Sequence, residues 1–233
     1  MSAGWIRRLA RRAVELLYPR RAVCMGCGSW TGCREDWICP DCRQRLAQSW
    51  VGAEPPVKGF DGAAFAYVYH GPSAGVVQRL KYTGVKRLAA FMGEDMARAY
   101  RFLEPTGAEM VTWVPMHRKR LRQRGFNHAE LLARDVAARL DLPCVDLLDR
   151  VRDTRQQARL SDDERRRNLK DAFDVKASVA GRRVILVDDV CTTGSTAREC
   201  ARALKTAGAE AVYLLCYARA ARRKVDGARG NGE

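Results

Sequence analysis

Two adjacent carboxylates end an apolar run in the segment VILVDDVCTTGSTARE, residues 184–199. The four apolar residues at its start are rich in β-branched side chains and predict a short buried strand of a parallel sheet. Asp188 and Asp189 therefore lie at the carboxyl end of that strand, where open α/β sheets bind ligands. Apolar residues at helical spacing follow and stop near Gly208, so the segment predicts a strand, a turn and a helix.

The turn between this strand and this helix carries several hydroxyl groups and one glycine. A helix N-terminus with such a loop suits a phosphate monoester, but the Lys that a nucleotide-binding P-loop requires is missing. Ionised carboxylates accept hydrogen bonds but donate none, so they tolerate a phosphate ligand that also brings hydroxyl donors or a cation. A sugar phosphate with a free diol meets that condition, and a solvated acidic turn is the alternative. The candidate phosphate-binding residues are Thr192, Thr193, Gly194, Ser195 and Thr196.

Four cysteines near the N-terminus form two C-x2-C pairs that are typical of a metal site. Cys24, Cys27, Cys39 and Cys42 could supply four thiolates to a tetrahedral zinc ion, which leaves no open position and makes the metal structural. A disulfide framework is the alternative, which the lack of a secretion signal disfavours. Cys33 is either a spare thiol or a replacement for one of the four.

A basic segment follows the next predicted strand, residues 109–114. We interpret it as a loop that places five cations beyond a strand end, where a pyrophosphate could bind. Upstream, apolar patterns predict a strand at 63–71 and helices at 73–84 and 86–103, after a linker-like segment at 52–60. The cations of the loop are Arg118, Lys119, Arg120, Arg122 and Arg124.

The composition is that of a globular protein with a basic charge balance. With 47% hydrophobic and 30% charged residues and a net charge of +15, the chain suits phosphate-rich ligands or nucleic acid, although an Arg-rich surface alone would also explain the charge. No apolar run is long enough to span a membrane. The first residues predict a basic amphipathic helix that packs on the cysteine module, with docking on a membrane surface as the alternative.

Four strings, taken in order, resemble segments typical of ComF-like proteins: YHGPSAGVVQRLKYTGVKRLA, VPMHRKRLRQRGFNHAELLAR, DTRQQARLSDDERRRNLKDAF and VILVDDVCTTGST. The last is similar to the phosphoribosyl pyrophosphate (PRPP) signature of type I phosphoribosyltransferases. The resemblance covers roughly residues 20–220. It implies an α/β fold, with a parallel sheet flanked by helices and a small N-terminal zinc ribbon.

The resemblance also implies residue roles. Asp188 and Asp189 would hold the ribose 2′ and 3′ hydroxyls, and the loop after them would hold the 5′-phosphate, with Mg²⁺ bound alongside PRPP. His117 and Arg118 resemble part of the pyrophosphate loop. The remaining candidates are Arg122 and Arg124, which lead into the next helix, and Arg155 and Gln157 in a hood at 153–160.

Four further positions bear on the expected site and acceptor. Asn127 is expected to cap the helix HAELLARDVAARL. His128 stands where the family more often has Gln, and we interpret it as a helix-surface residue, whereas His117 is undecided between a structural and a catalytic role. In several purine-salvage relatives a carboxylate lies three positions after the acid pair, where this chain has Thr192, which argues against a 6-oxopurine acceptor.

The residues leave two main functional hypotheses, and a third, a zinc-ribbon protein-interaction module, explains the cysteines but not the acid pair. The first is a cytoplasmic phosphoribosyltransferase-fold protein that binds PRPP with Mg²⁺ and transfers phosphoribosyl to an unnamed acceptor. The second is a competence factor that binds single-stranded DNA and keeps the PRPP site as a sensor or relic. The resemblance associates both functions with DNA uptake in natural transformation. Other DNA-uptake proteins are therefore candidate partners, and the inner face of the membrane is a candidate location. The expected domains are a helix at 1–22, a zinc ribbon at 23–50, the phosphoribosyltransferase-like domain at 60–220 and a disordered basic tail at 221–233.

Overall fold

The structure, a computed structural model, describes residues 23–30, 37–54, 56–82, 87–103, 106–151 and 172–221. Several sequence-based predictions lie outside these ranges: the N-terminal helix, Cys33, the hood residues Arg155 and Gln157, and nearly all of the tail. The described elements are α1 (Pro40–Gln48), β1 (Trp50–Glu54), β2 (Gly62–Val68), α2 (Pro72–Tyr82), α3 (Leu88–Arg101), β3 (Met110–Trp113), α4 (Arg118–Arg124), α5 (His128–Leu140), β4 (Leu148–Arg150), β5 (Phe173–Val175), β6 (Arg183–Cys191), α6 (Ser195–Thr206) and β7 (Ala211–Arg219).

Within the described residues, five strands form one mostly parallel sheet in the order β1-β2-β7-β6-β3. Strands β2, β7, β6 and β3 run parallel, and β1 pairs antiparallel with β2 at the edge. Strands β4 and β5 form a separate antiparallel pair. The predicted α/β class with a parallel sheet is confirmed, whereas the first residues of the predicted linker at 52–60 belong to strand β1.

Strand β6 explains why an uninterrupted apolar run marks the middle of the sheet. Successive side chains of a strand point to opposite faces, and both faces of this sheet are covered. Val184 and Leu186 pack in one core with residues of α6, and Ile185 and Val187 pack in the other with residues of α3 and α5. All four side chains are fully buried, so each face selects an apolar residue.

One predicted loop is a helix. Residues Arg118–Arg124 form α4, which His117 caps by accepting a hydrogen bond from the backbone amide of Lys119 at 3.3 Å. Leu, Arg, Lys and Gln are good helix formers, and Gly125 ends the helix in the left-handed conformation at φ 77°. The interpretation of this segment as a loop was therefore wrong.

The cysteine module packs directly on helix α2. The Arg79 guanidinium donates to the carbonyl of Met25 at 2.9 Å and to that of Gly26 at 3.4 Å. Gly75 faces the same turn so closely that an added Cβ would lie 1.9 Å from the Gly26 carbonyl oxygen. The module and the sheet domain therefore share one core, in which Cys42 and Leu46 lie beside Val76 and Leu80 of α2.

Candidate functional site

The acid pair lies in the carboxyl-terminal part of β6, beyond the end of its neighbour β3. Strand β3 pairs with β6 as far as Trp113 opposite Val187, whereas β7 continues alongside to Arg219 opposite Cys191. The backbone amide of Asp189 donates to the Asp188 carboxylate at 2.8 Å. The one-sided pairing leaves the β3 side of the strand end available to a ligand, as expected for an open α/β sheet.

A lysine from α2 compensates part of the negative charge of the pair. Burial and the adjacent charge of Asp189 raise the pKa of Asp188 to about 7, and Lys81 opposes that rise. The Lys81 Nζ lies 2.9 Å from Asp189 Oδ2, with side chains only 24% and 11% exposed. Burial lowers the pKa of Lys81, but Asp189 outweighs it and the net shift is upward. Lys81 therefore neutralises part of the charge of the pair through its contact with Asp189.

The hydroxyl-rich loop joins β6 to the N-terminus of α6. Gly194 occupies the left-handed region at φ 70°, and an added Cβ would lie 3.3 Å from the Cys191 sulfur and 3.0 Å from an Arg198 nitrogen. The Thr193 and Ser195 hydroxyls are 3.0 Å apart, and Arg198 donates to the latter at 3.3 Å. The N-cap residue Gly194 has no side chain to cap α6, although the Ser195 amide donates to the Thr193 hydroxyl at 3.4 Å. An anion would be stabilised at this helix N-terminus.

A cavity of about 280 Å³ connects the acid pair to the basic segment. Of the predicted site residues, it brings together Asp188, Asp189, Thr192, Thr196 and Arg124. Arg120, one of the five cations of the basic segment, also lines it. Other polar and aromatic side chains complete its wall, and sequence reasoning had not assigned them to the site: Tyr69, Lys81, Asn127, His128 and Arg150.

The other predicted residues lie elsewhere. Arg118 is 76% exposed and donates to Asp149 at 3.2 Å, on the side of α4 that faces β4. His117 caps α4, and neither it nor Arg122 lines the cavity. The segment does contain many cations, but in a helix successive side chains point in different directions, so only some of them can reach one site. Arg124 and Arg120 therefore face the acid pair, while Arg118 does not.

His128 is buried, which corrects its interpretation as a helix-surface residue. It is 1% exposed, and burial lowers the pKa of the imidazole although Asp189 opposes the shift. The nearby Lys81 backbone also opposes the fall in the pKa, and Nε2 has no hydrogen-bond partner among the described residues. Asn127 caps α5 as predicted, accepting from the Ala129 amide at 3.1 Å and donating to the Val114 carbonyl.

The four cysteine sulfurs form a compact cluster whose dimensions fit a tetrahedral metal ion. All lie within 4.8 Å of one another, and the sulfurs of Cys27 and Cys39 are 3.9 Å apart, close to the separation of about 3.8 Å that zinc–thiolate bonds of about 2.3 Å impose. Backbone amides of Gly26 and Cys39 each donate to the Cys24 sulfur at 3.3 Å. Hydrogen bonds from Ser29 lower the pKa of Cys27 to about 6. The donor set therefore suits a soft divalent cation.

The chain carries a domain of the phosphoribosyltransferase fold, and the family model described as the phosphoribosyl transferase domain matches residues 127–228. Competence protein F of Haemophilus influenzae is 35% identical over 163 residues, which cover 65% of this chain and 70% of that protein. Competence protein ComFC of Bacillus subtilis is 28% identical over 207 residues, or 84% of this chain and 83% of that protein. The chain belongs to the ComF family.

A solved structure of glutamine PRPP amidotransferase from Bacillus subtilis, complexed with ADP and GMP, is also similar. It is 23% identical, covers 54% of this chain and 25% of that chain, and gives a TM-score of 0.38, too low to support a conclusion. Among the described helices, none is long and apolar enough to cross a membrane.

Proposed function

We propose that this chain binds PRPP in the cavity beside the acid pair. Asp188 and Asp189 would accept hydrogen bonds from the ribose hydroxyls, and the loop from Thr192 to Thr196 would hold the 5′-phosphate at the N-terminus of α6. Arg120 and Arg124 would face the pyrophosphate. The observation that carries the proposal is that the acid pair, both ends of the phosphate loop and Arg124 line one cavity.

The proposed reaction is transfer of the phosphoribosyl group. The bond between C1′ and the pyrophosphate oxygen breaks, the electron pair leaves with pyrophosphate, and an acceptor nitrogen forms the new bond to C1′. Asp188 and Asp189 favour the positive charge that develops on the ribose, and the arginines stabilise the leaving group. Thr192 offers no carboxylate for a base proton, so we place the acceptor outside the 6-oxopurines.

Several residues enter this proposal from family resemblance. Arg155 and Gln157, which lie outside the described residues, would belong to a hood over the ligand. His117, Arg118 and Arg122 would assist from the rim of the basic segment. The proposed domain division assigns 23–50 to a zinc ribbon and 60–220 to the phosphoribosyltransferase-like domain.

Two cations belong to the proposal. The cysteine cluster would hold a structural zinc ion, since four thiolates leave no position for a substrate. Oxygen donors from the acid pair and from PRPP suit Mg²⁺, which would supply further charge neutralisation for the leaving group.

The family names connect the chain with DNA. Competence protein F and ComFC carry competence in their names, and a relative from Escherichia coli that is 33% identical is named DNA utilization protein YhgH. Single-stranded DNA is a second candidate ligand. One surface favours it: Arg98 stacks 4.0 Å from the Trp50 ring centroid, and Phe102 beside it is 65% exposed, an arrangement on which bases could stack.

A calorimetric titration of PRPP with Mg²⁺ into the zinc-loaded chain tests the main proposal. We expect binding by the native chain and its loss in the Asp188→Asn, Asp189→Asn double variant. A folded native chain that does not bind PRPP would refute the proposal. Binding of an oligonucleotide that falls by orders of magnitude when salt rises severalfold, in the same chain, would favour the DNA-binding alternative.

A further inference from the structure

Lys81 occupies a position on α2 where the helical pattern calls for an apolar residue. The buried side chains of this helix include Ser73, Val77 and Leu80, and Lys81 follows Val77 by one helical turn. Its stem lies against the buried face, and its ammonium reaches Asp189 Oδ2 at 2.9 Å. The same side chain lines the cavity that contains the acid pair.

The backbone at Lys81 is held from two directions. Two residues earlier, Arg79 ties α2 to the carbonyls of Met25 and Gly26 in the cysteine module. On the other side, the buried ring of His128 lies close to the Lys81 backbone and lines the same cavity. A lysine anchored in this way has lost much of its conformational freedom before any ligand arrives, so it can bind with little further entropy cost.

The charge of the site indicates what Lys81 does there. PRPP carries several negative charges, and two uncompensated carboxylates would repel it. The ammonium has three N–H donors, and its ion pair with Asp189 uses one of them. We infer that Lys81 is a binding residue for the anionic part of the phosphoribosyl ligand, which its remaining N–H groups contact while the pair with Asp189 persists. The inference rests on the proposed function and names a residue of that site.

The opposite role is a plug, in which the ion pair blocks Asp189 and has to break before the diol can bind. The two roles predict opposite effects of a Lys81 substitution on the affinity for PRPP. Removal of the charge weakens PRPP binding if Lys81 contacts the ligand, and strengthens it if Lys81 is a plug. The geometry favours contact, because Asp189 keeps a second carboxylate oxygen for a hydroxyl.

The test compares PRPP binding with Mg²⁺ in the full zinc-loaded chain and its variants Lys81→Met, Lys81→Arg and Lys58→Met. We expect Lys81→Met to weaken binding by about tenfold to a hundredfold, as the loss of a charge-assisted hydrogen bond does. Lys81→Arg should recover part of the loss, and Lys58→Met, an exposed lysine outside the cavity, should change nothing. Equal or tighter binding by Lys81→Met overturns the inference. If the native chain itself does not bind, the proposed function fails first.

A second measurement uses the native chain and does not depend on how the variants fold. Lysines are acetylated with a small active ester and counted by peptide mass spectrometry, with and without PRPP and Mg²⁺. PRPP should slow acetylation of Lys81 severalfold and leave Lys58 unchanged, and ribose 5-phosphate should protect Lys81 less because it lacks pyrophosphate. Faster acetylation of Lys81 in the presence of PRPP would show that the ligand releases it, and would overturn the inference.

Discussion

The cysteine module and the acid-pair cavity each bring together side chains that are negative when ionised, and the two regions differ in the groups that surround these side chains. In the module the four thiols interact with one another, with backbone amides and with Ser29, and this donor set could hold a metal ion. In the cavity the chain supplies Lys81 as an internal cation. We propose that the first arrangement surrounds a structural ion and that the second leaves space for a charged ligand.

The two regions also differ in access. Three of the four cysteines are buried, and their sulfur atoms lie within 4.8 Å of one another. The acid pair borders a cavity of about 280 Å³ whose wall carries arginines and hydroxyl groups. A closed donor set stabilises a fold, and an open, polar, partly neutralised one suits binding and catalysis.

The largest expected effect comes from breaking the module. We expect Cys42→Ser to abolish zinc binding and to destabilise the N-terminal module by several kcal/mol, because metal binding supplies folding free energy to a segment too short for its own core. Zinc content by atomic absorption and hydrogen exchange over residues 37–48 measure this. Cys144→Ser, which removes a thiol outside the cluster, is the control. Full zinc content in Cys42→Ser would contradict a four-thiolate site.

The contact between the two regions can be broken without touching either site. Replacing Gly by Ala inside a helix normally stabilises a protein by about 0.5–1 kcal/mol. We expect Gly75→Ala to destabilise this chain instead, by roughly 2 kcal/mol, because the new Cβ meets the Gly26 carbonyl oxygen. Thermal unfolding of the zinc-loaded chain shows whether the substitution raises or lowers its stability. A stabilised variant would show that the module does not pack on α2 this closely.

The raised pKa of Asp188 predicts a pH dependence of the stability of the chain. Because the pKa of Asp188 is about 7 in the folded chain and 3.8 is its ordinary value, the folded state binds more protons between these pH values. Stability should therefore fall as the pH rises from about 4 to about 7 because of this group. Asp188→Asn removes that loss. At pH 8 the free energy of unfolding of the variant should therefore exceed that of the native chain by on the order of 1 kcal/mol or more.

Denaturant unfolding at several pH values measures the difference, with Asp174→Asn as the control because Asp174 is exposed. Parallel stability profiles for the native chain and Asp188→Asn would mean that Asp188 ionises as it does in water.

The smallest expected effect separates two arginines of the basic segment. Arg124 lines the cavity, whereas Arg118 is 76% exposed and pairs with Asp149. We expect Arg124→Ala to weaken PRPP binding by about tenfold and Arg118→Ala to change it by less than about threefold. Calorimetric titration of PRPP into both variants measures the two affinities. The reverse order would show that the pyrophosphate binds on the β4 side of α4.

Much of this organisation was predictable from local sequence. The apolar run of β6, the hydroxyl-rich turn and the C-x2-C spacing each depend on neighbouring residues, and the structure places them as expected. Helix α4 was also predictable, since RKRLRQRG combines good helix formers with a C-terminal glycine. The density of charge in that segment led to its interpretation as a loop.

Other features depend on tertiary contacts. The ion pair of Lys81 with Asp189 joins α2 to β6, and no sequence pattern specifies that partner. A weaker signal existed for burial: His128 lies four and eight residues before Leu132 and Val136, which places it on the buried stripe of α5. Lys81 likewise continues the stripe of α2. A charged or titratable residue on an apolar stripe is therefore a better site marker than charge density alone.

The central claim is that the acid pair recognises a ribose diol. Its most direct test is to compare, by calorimetry at one pH and one Mg²⁺ concentration, the binding of ribose 5-phosphate and 2-deoxyribose 5-phosphate to the native chain. We predict that the ribose compound binds about tenfold tighter or more, and that the Asp188→Asn, Asp189→Asn variant loses this preference. Equal affinity of the native chain for the two sugars would contradict the assignment of the acid pair to the diol.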